Sequence, residues 1–347
     1  MKALFLAGGF GTRLKPITDD LPKPMVPIMG KPLLERNIEN LKKHGIDEVL
    51  LSTCYKPHKI EEYFGSGEER GIKISYIFEE KPLGTGGAIK NAHKYTDDTF
   101  VVFNADILSD IDISEMIKFH KKTGAIATIA VTQVDNPSNY GVIEHDENGF
   151  IQSFKEKPQP HESCSNLINA GIYIFEPELL KEIPSGRAVS IERETYPHLL
   201  QKGYKLAVYN ACSYWLDVGT PQKYMIAHYD ILEGRLPISE HNFKENSKYI
   251  SKTAKISPDA QIIGPVYIGE NVEIGASTVI GPNTVLGAHC SVGTGAKLSE
   301  SVIWDSVHVE NGASVKNSVV MSDCIVDKNS EKISCVLTEN KSYPIAV

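Results

Sequence analysis

The sequence lacks the features that would place it in several broad classes. It has no apolar run approaching the ~20 residues that cross a bilayer. Its opening, MKALFLAGG, reaches glycine too soon for the apolar stretch of a signal peptide. The expectation is therefore a cytoplasmic protein without a membrane partner. It has no CxxC pair: its six cysteines, Cys54, Cys164, Cys212, Cys290, Cys324 and Cys335, are scattered, which suggests buried reduced thiols. It has no basic excess, with 36 Lys and Arg against 44 Asp and Glu for a net charge of −8. Such a chain is a poor general nucleic-acid binder, because few cations remain to displace counterions from phosphates. It also lacks both usual nucleotide fingerprints. GxGxxG fails at Leu14 and no GxxxxGK[ST] occurs.

What is present is ordinary globular composition, 41% hydrophobic and 23% charged over 347 residues. That length suggests two domains at ~150 residues each, and two patterns divide the chain. From residue 1 to about 232, β-rich runs over 2–7, 48–52, 73–78, 99–103, 125–133, 171–175 and 205–209 alternate with helical patterns over 32–43, 85–93, 114–122 and 221–233. Alternation of this kind predicts an α/β, Rossmann-like domain with a mostly parallel sheet and ligands at the carboxyl ends of the strands. From residue 254 a second pattern begins. Ile256, Ile262, Ile268, Ile274, Ile280, Leu286, Val292 and Leu298 recur every six residues, and five of them are followed directly by glycine. This is the signature of a hexapeptide parallel β-helix. Beyond residue 300 the register loosens, with Val307, Val309, Val315, Val319, Ile325 and Ile333 continuing the apolar beat. The expected organisation is residues 1–234, a polar linker over 235–253, and a left-handed β-helix over 254–347.

The first strand runs into Leu6-Ala-Gly-Gly-Phe-Gly-Thr-Arg-Leu14. A glycine-rich turn lets backbone N–H groups approach a phosphate, and Arg13 adds a planar cationic fork. Lys23 lies between Pro22 and Pro24, so its backbone is stiff and its ammonium can be aimed. A bare glycine turn is the simpler reading of Gly8-Gly9 alone; the two cations favour an anion site.

The string GGFGTRLKPITDDLPKPMVPIMGKPLL resembles the signature of the sugar-1-phosphate nucleotidyltransferases. The resemblance continues through Glu79-Glu80-Lys81-Pro82-Leu83-Gly84-Thr85-Gly86-Gly87-Ala88, Phe103-Asn104-Ala105-Asp106, Tyr140-Gly141-Val142-Ile143, Glu156-Lys157-Pro158, Asn169-Ala170-Gly171-Ile172-Tyr173 and Trp215-Leu216-Asp217-Val218-Gly219-Thr220. These blocks span nearly all of residues 1–232. The appended β-helix and the segment Val189-Ser-Ile-Glu-Arg-Glu-Thr-Tyr-Pro197 resemble most closely the subgroup that includes mannose-1-phosphate guanylyltransferases.

The resemblance implies the reaction sugar 1-phosphate + NTP → NDP-sugar + pyrophosphate, with Mg²⁺ held between Asp106 and Asp217. A nucleotide site would comprise Leu6, Ala7, Gly8, Gly9, Gly11, Thr12, Arg13, Lys23, Glu79, Gly84 and Asp106. A sugar-phosphate site would comprise Gly141, Glu156, Lys157, Asn169 and Gly171. Arg13, Lys23, Asp106, Lys157 and Asp217 would carry the chemistry: Lys23 meets the NTP phosphates, and Lys157 the phosphate of the sugar. Asn104 would shape the loop. Glu79 matches the position that reads the base, with Glu80 as the neighbouring alternative. A carboxylate there can accept from the two donors of guanine, N1–H and N2–H₂, whereas uracil and thymine suit an amide. The expected partners are therefore GTP and mannose 1-phosphate, with UTP or dTTP and glucose 1-phosphate as the alternative. Acetyl transfer on the β-helix would need a histidine base, for which only His289 and His308 are present there. A non-catalytic regulatory paralogue is the remaining reading, disfavoured by the intact Gly8, Gly9, Gly11, Arg13, Lys23, Asp106, Lys157 and Asp217. A β-helix offers flat faces and an open end, so a homo-oligomer is expected.

Overall fold

The structure, a computed structural model, describes residues 1–159, 165–211, 213–339 and 341–345. The chain forms two compact units. One comprises residues 1–10, 22–25 and 33–215, and the other residues 11–21, 26–32 and 216–347.

The first unit is Rossmann-like. The strand Lys2–Leu6 runs parallel to Glu48–Thr53 on one side and to Phe100–Asn104 on the other, and Lys73–Phe78 extends the sheet beyond Glu48–Thr53, also in parallel. Connecting helices Leu33–Lys43, Pro57–Phe64 and Gly84–Asn91 fill the crossovers. The first has Leu33, Leu34, Ile38 and Leu41 buried on one face, the 3.6-residue period read from the sequence. Past Phe100–Asn104 the sheet adds antiparallel neighbours. Leu167–Phe175 pairs antiparallel with Phe100–Asn104, with Ala127–Gln133 and, at Ile168, with Gly141–His145. Leu206–Asn210 is parallel to Ala127–Gln133. Leu4, Val102, Ile129, Tyr173, Phe175 and Tyr196 belong to the core between sheet and helices, all with 1% exposure or less.

Two features depart from the sequence expectation. The strand expected over 171–175 begins at Leu167, and its register breaks between Asn169 and Tyr173. Gly171 sits in that break at φ +72°, a bulge that side chains other than glycine tolerate poorly. The antiparallel hairpin Gly141–His145/Ile151–Glu156 was not anticipated. Its outer strand is the sheet edge, half-exposed and rich in polar residues, so its apolar alternation is weak.

The second unit carries three parallel sheets whose strands come from successive coils, the arrangement of a left-handed parallel β-helix. Ile256, Ile274 and Val292 stack 18 residues apart; Val309 and Val326 then follow at intervals of 17. The loosening past residue 300 is this lost residue, and it falls at one corner. Glu300 and Ser301 there occupy the turn that Pro282 and Asn283 make one coil earlier, with Glu300 N donating to Pro282 O at 2.8 Å and Ser301 N to Asn283 O at 3.1 Å. The shortened corner turns small hydroxyls inward. Ser301 Oγ accepts from Ser318 N at 3.2 Å, and Ser318 Oγ accepts from Cys335 N at 3.1 Å. Ile325 and Ile333, read from the sequence as part of the apolar beat, point outward and are 60% and 52% exposed. Val326, the residue after Ile325, takes the buried place in the stack. The strand Lys248–Ile250, inside the stretch read as a linker, already pairs with Val266–Ile268. The helix Pro221–Leu232 belongs to this same unit.

Cys290, Cys324 and Cys335 are buried free thiols and Cys54 is partly buried; Cys164 and Cys212 lie outside the described residues. Among the described residues no helix is long and apolar enough to cross a membrane.

Candidate active site

At the carboxyl ends of the parallel strands, the first unit opens a cavity of about 290 Å³. Its lining includes Leu6, Ala7, Gly8, Gly9, Lys23, Glu79, Gly84 and Asp106, eight of the residues expected to bind nucleotide. Asn104 joins them, together with residues that the sequence reading did not assign to the site, among them Phe10, Pro82 and Thr85. Each follows from local structure. Leu6 ends a central strand, and Asn104 ends the neighbouring one just before Asp106. Gly84 opens the helix Gly84–Asn91 at φ +68°, where a Cβ would come within 2.6 Å of the Val189 carbonyl oxygen. Gly11, Thr12 and Arg13 do not line this cavity; they lie in the second unit.

Lys23 is 7% exposed, and its Nζ donates to Oδ2 of Asp106 at 2.7 Å. Glu79 is 9% exposed and held at both oxygens. Oε1 accepts from Ser52 Oγ at 2.8 Å, and Oε2 from the Leu83 backbone N–H at 3.0 Å. Each carboxylate oxygen retains acceptor capacity beyond these bonds. The Gly8 backbone passes so close that a Cβ there would sit 3.1 Å from Glu79 Oε1. Glu80, the alternative base reader, is exposed and does not line the cavity. Burial, with the Glu79 charge added, pushes the nearby Cys54 thiol up from its ordinary value.

Of the five residues expected to meet the sugar phosphate, Gly141, Glu156, Asn169 and Gly171 lie on three strands of the first unit, and Lys157 follows the end of one. Glu156 ends the strand Ile151–Glu156 directly opposite Gly141. A Cβ on Gly141 would lie 2.6 Å from Phe154 Cζ and 3.0 Å from Glu156 Oε2. Asn169 Oδ1 accepts from Gly171 N at 2.9 Å, and its Nδ2 donates to Tyr173 Oη at 2.8 Å. A Cβ on Gly171 would meet the Asn104 amide nitrogen at 2.8 Å. Lys157 follows Glu156 at φ +51°, its N–H bonded to Tyr140 O at 2.9 Å and its side chain 55% exposed. Burial, and then the charge of Glu192, push the Glu156 carboxyl up from its ordinary value. Glu192 itself accepts from Thr85 Oγ1 at 2.7 Å and from Ser190 Oγ at 2.8 Å. It stands in the quoted Val189–Pro197 segment, but nothing in that string reveals that it faces Glu156.

In the second unit, Asp217 is 6% exposed beside two cations. Arg13 Nη2 is 3.8 Å and Lys223 Nζ 3.5 Å from its Oδ2. Gly219 lets the chain turn here, since a Cβ would lie 3.0 Å from Asp217 Oδ1.

Residues 2–234 match the nucleotidyl transferase family and residues 262–342 match the GMPPB C-terminal domain. The chain belongs to the sugar-1-phosphate nucleotidyltransferase family. It is 37% identical over 316 residues to a mannose-1-phosphate guanylyltransferase of Mycobacterium tuberculosis, covering 90% of this chain and 82% of that one. It is 36% identical over 350 residues to a UTP–glucose-1-phosphate uridylyltransferase of Synechocystis, covering 96% and 90%. Among solved structures, HddC from Yersinia pseudotuberculosis in complex with GMP-PN is similar, with a TM-score of 0.57 and 33% identity over 65% of this chain and 97% of that one. Nucleotidyltransferase chemistry on a sugar 1-phosphate therefore stands, while relatives of nearly equal identity carry names with different nucleotides.

Proposed function

We propose that this nucleotidyltransferase makes GDP-mannose from GTP and mannose 1-phosphate. The observation that carries the nucleotide is Glu79, a buried carboxylate fixed at both oxygens on the wall of the cavity. Its remaining lone pairs match the N1–H and N2–H₂ donors of guanine, whereas the imide of uracil or thymine offers a single donor. Glucose 1-phosphate with UTP is the second reading, favoured by the Synechocystis relative.

In the proposed reaction a phosphate oxygen of the sugar 1-phosphate attacks the α-phosphorus of the NTP, and pyrophosphate leaves. Both reactants are anions, so the enzyme's task is to neutralise charge and hold an in-line geometry. The attacking oxygen is already ionised at neutral pH, and no general base is needed. Lys23 offers its ammonium to the NTP phosphates while keeping Asp106 in place. Arg13 adds a cationic fork from the glycine loop. Lys157 reaches the phosphate of the sugar, and Glu156 and Asn169 bind its hydroxyls. The bulge at Gly171 and the bare backbone at Gly141 admit the ring.

A divalent cation fits the donor chemistry. Among the described residues no three His, Cys, Asp or Glu side chains gather as metal ligands. A metal at Asp106 and Asp217 would thus take hard carboxylate oxygens from the protein and the rest from water and phosphate, as Mg²⁺ does. When bound, Mg²⁺ would neutralise charge on the phosphates. The β-helix is proposed to serve assembly into a homo-oligomer; light scattering that returned the 38.3 kDa monomer would contradict it. The nucleotide is tested by comparing GTP with UTP and dTTP in wild type and Glu79→Gln.

A further inference from the structure

Trp304 lies on the β-helix, directly after the strand Val302–Ile303. Its indole N–H donates to the hydroxyl of Tyr224 at 2.9 Å. Tyr224 is fully buried in the helix Pro221–Leu232, and its own hydroxyl donates to the Pro27 carbonyl at 2.7 Å. One turn further, His228 lies edge-on to the Tyr224 ring at 4.6 Å. Its Nε2 accepts from Met29 N at 3.2 Å, and its Nδ1 donates to Tyr224 O at 2.9 Å. Tyr229 donates to the Glu300 carbonyl at 2.5 Å. The helix is therefore fastened to the coils at Trp304 and Glu300, and to the segment 26–32 at Pro27 and Met29.

The first turn of this helix, which holds Tyr224, also carries Lys223 beside Asp217, a residue proposed to act in the reaction. Thr220 caps it by accepting from Lys223 N at 3.3 Å. Lys223, the residue before Tyr224, holds Asp217 at 3.5 Å, and Arg13 flanks the same carboxylate. Lys23 precedes Pro27 by four residues in the sequence. One hydrogen-bonded route from the β-helix toward these groups runs from Trp304 through the Tyr224 hydroxyl.

We propose that Trp304 is a positioning residue for nucleotidyl transfer. Through the Tyr224 hydroxyl it fixes the first turn of the helix, with Lys223 and Asp217, and the segment that follows Lys23. The β-helix then sets the turnover of the enzyme as well as its assembly. The inference rests on Asp217 and Lys23 acting in the reaction.

The test uses the full chain. Trp304→Phe removes the N–H donor and also shrinks the indole to a phenyl ring, so it is read beside Tyr224→Phe, which removes only a hydroxyl. We expect kcat to fall about fivefold to tenfold, the worth of one buried hydrogen bond. The KM values for NTP and sugar phosphate should stay within about twofold of wild type, since the loss falls on the transition state. Oligomer size and a cooperative melt should be retained. Tyr224→Phe should lower kcat at least as far, and Trp304→Phe added to it should cost nothing more, because both act through one hydroxyl. Unchanged kcat, additive losses, or a kcat that falls only in step with the folded fraction would each overturn the proposal. If Trp304→Phe does not fold, Tyr224→Phe is judged on the same split of kcat against KM. Asp217→Ala separates the two levels. Its full activity would overturn the site reading, whereas an inactive Asp217→Ala beside a silent Trp304→Phe overturns this inference alone.

Discussion

The hydroxyl of Ser52 donates to Oε1 of Glu79 at 2.8 Å, with both side chains buried. Ser52 lies on the interior strand Glu48–Thr53, so a rigid element aims the carboxylate proposed to face the base. Removing the hydroxyl leaves the Glu79 carboxylate held, among the described residues, by the Leu83 N–H. Ser52→Ala should therefore keep the fold and blur the choice of nucleotide. A hydrogen bond to a charged group is worth ~1.5–3 kcal/mol, so the ratio of kcat/KM for GTP to that for UTP should fall roughly tenfold or more. A melt close to wild type with an unchanged ratio would show that Ser52 does not orient the base reader.

Asp106 sits just beyond the end of Phe100–Asn104, and Lys23 is its cation. Asp106→Ala should abolish pyrophosphate release while circular dichroism stays unchanged, because the residue lies past the strand end and supports no core packing. Chelating Mg²⁺ from wild type should have the same effect. Near-normal turnover of Asp106→Ala at ordinary Mg²⁺ concentration would contradict the ligand assignment.

Glu156 should give the proposed sugar-phosphate site its own pH dependence. Burial, followed by Glu192, raises its pKa, so on acidification it takes up a proton before an exposed carboxylate would. The sign for stability is the opposite of the usual carboxylate case. A raised folded-state pKa contributes stability that is present below the ordinary glutamate range and lost as pH rises past the raised value. An acid-side loss of activity at this residue therefore reports binding and not unfolding. The KM for sugar phosphate should rise as pH falls through the raised value. Glu192→Gln should move that rise to lower pH, and Glu156→Gln should flatten it. An acid limb that Glu192→Gln leaves in place would refute the coupling.

Lys157 is the exposed cation of the proposed sugar site. Lys157→Ala should raise the KM for sugar phosphate by roughly tenfold to a hundredfold and leave that for NTP nearly unchanged. Saturation kinetics in each substrate decide it. If the KM for NTP alone responds, the roles of Lys157 and Lys23 are exchanged.

Much of this was legible in the sequence, for physical reasons that differ by element. The strands before Leu6 and Asn104 are buried on both faces and read as continuous apolar runs. The stacked Ile and Leu of the coils recur because each must meet its counterpart one coil away. The edge hairpin Gly141–His145/Ile151–Glu156 was hidden because its outer strand is a half-exposed, largely polar sheet edge. The 17-residue coils were hidden because a single residue deleted at the Glu300 corner breaks a six-residue count while leaving the stack intact. Side-chain relations across long sequence separations leave no local pattern at all. Nothing in Val-Ser-Ile-Glu-Arg-Glu places Glu192 against Glu156, and no repeat rule marks Trp304 as the donor to Tyr224.

The central claim is that a carboxylate at residue 79 selects guanine. The measurement that tests it most directly is kcat/KM for GTP, UTP and dTTP with the same sugar 1-phosphate, in wild type and in Glu79→Gln. A site built on polar complementarity rejects a partner that leaves its buried groups unpaired. Wild type should prefer GTP, and Glu79→Gln should shift the preference toward UTP or dTTP by at most a few kcal/mol, about a hundredfold, since backbone groups near Gly84 are also proposed to meet the base. A wild-type enzyme that prefers UTP or dTTP would contradict the account outright.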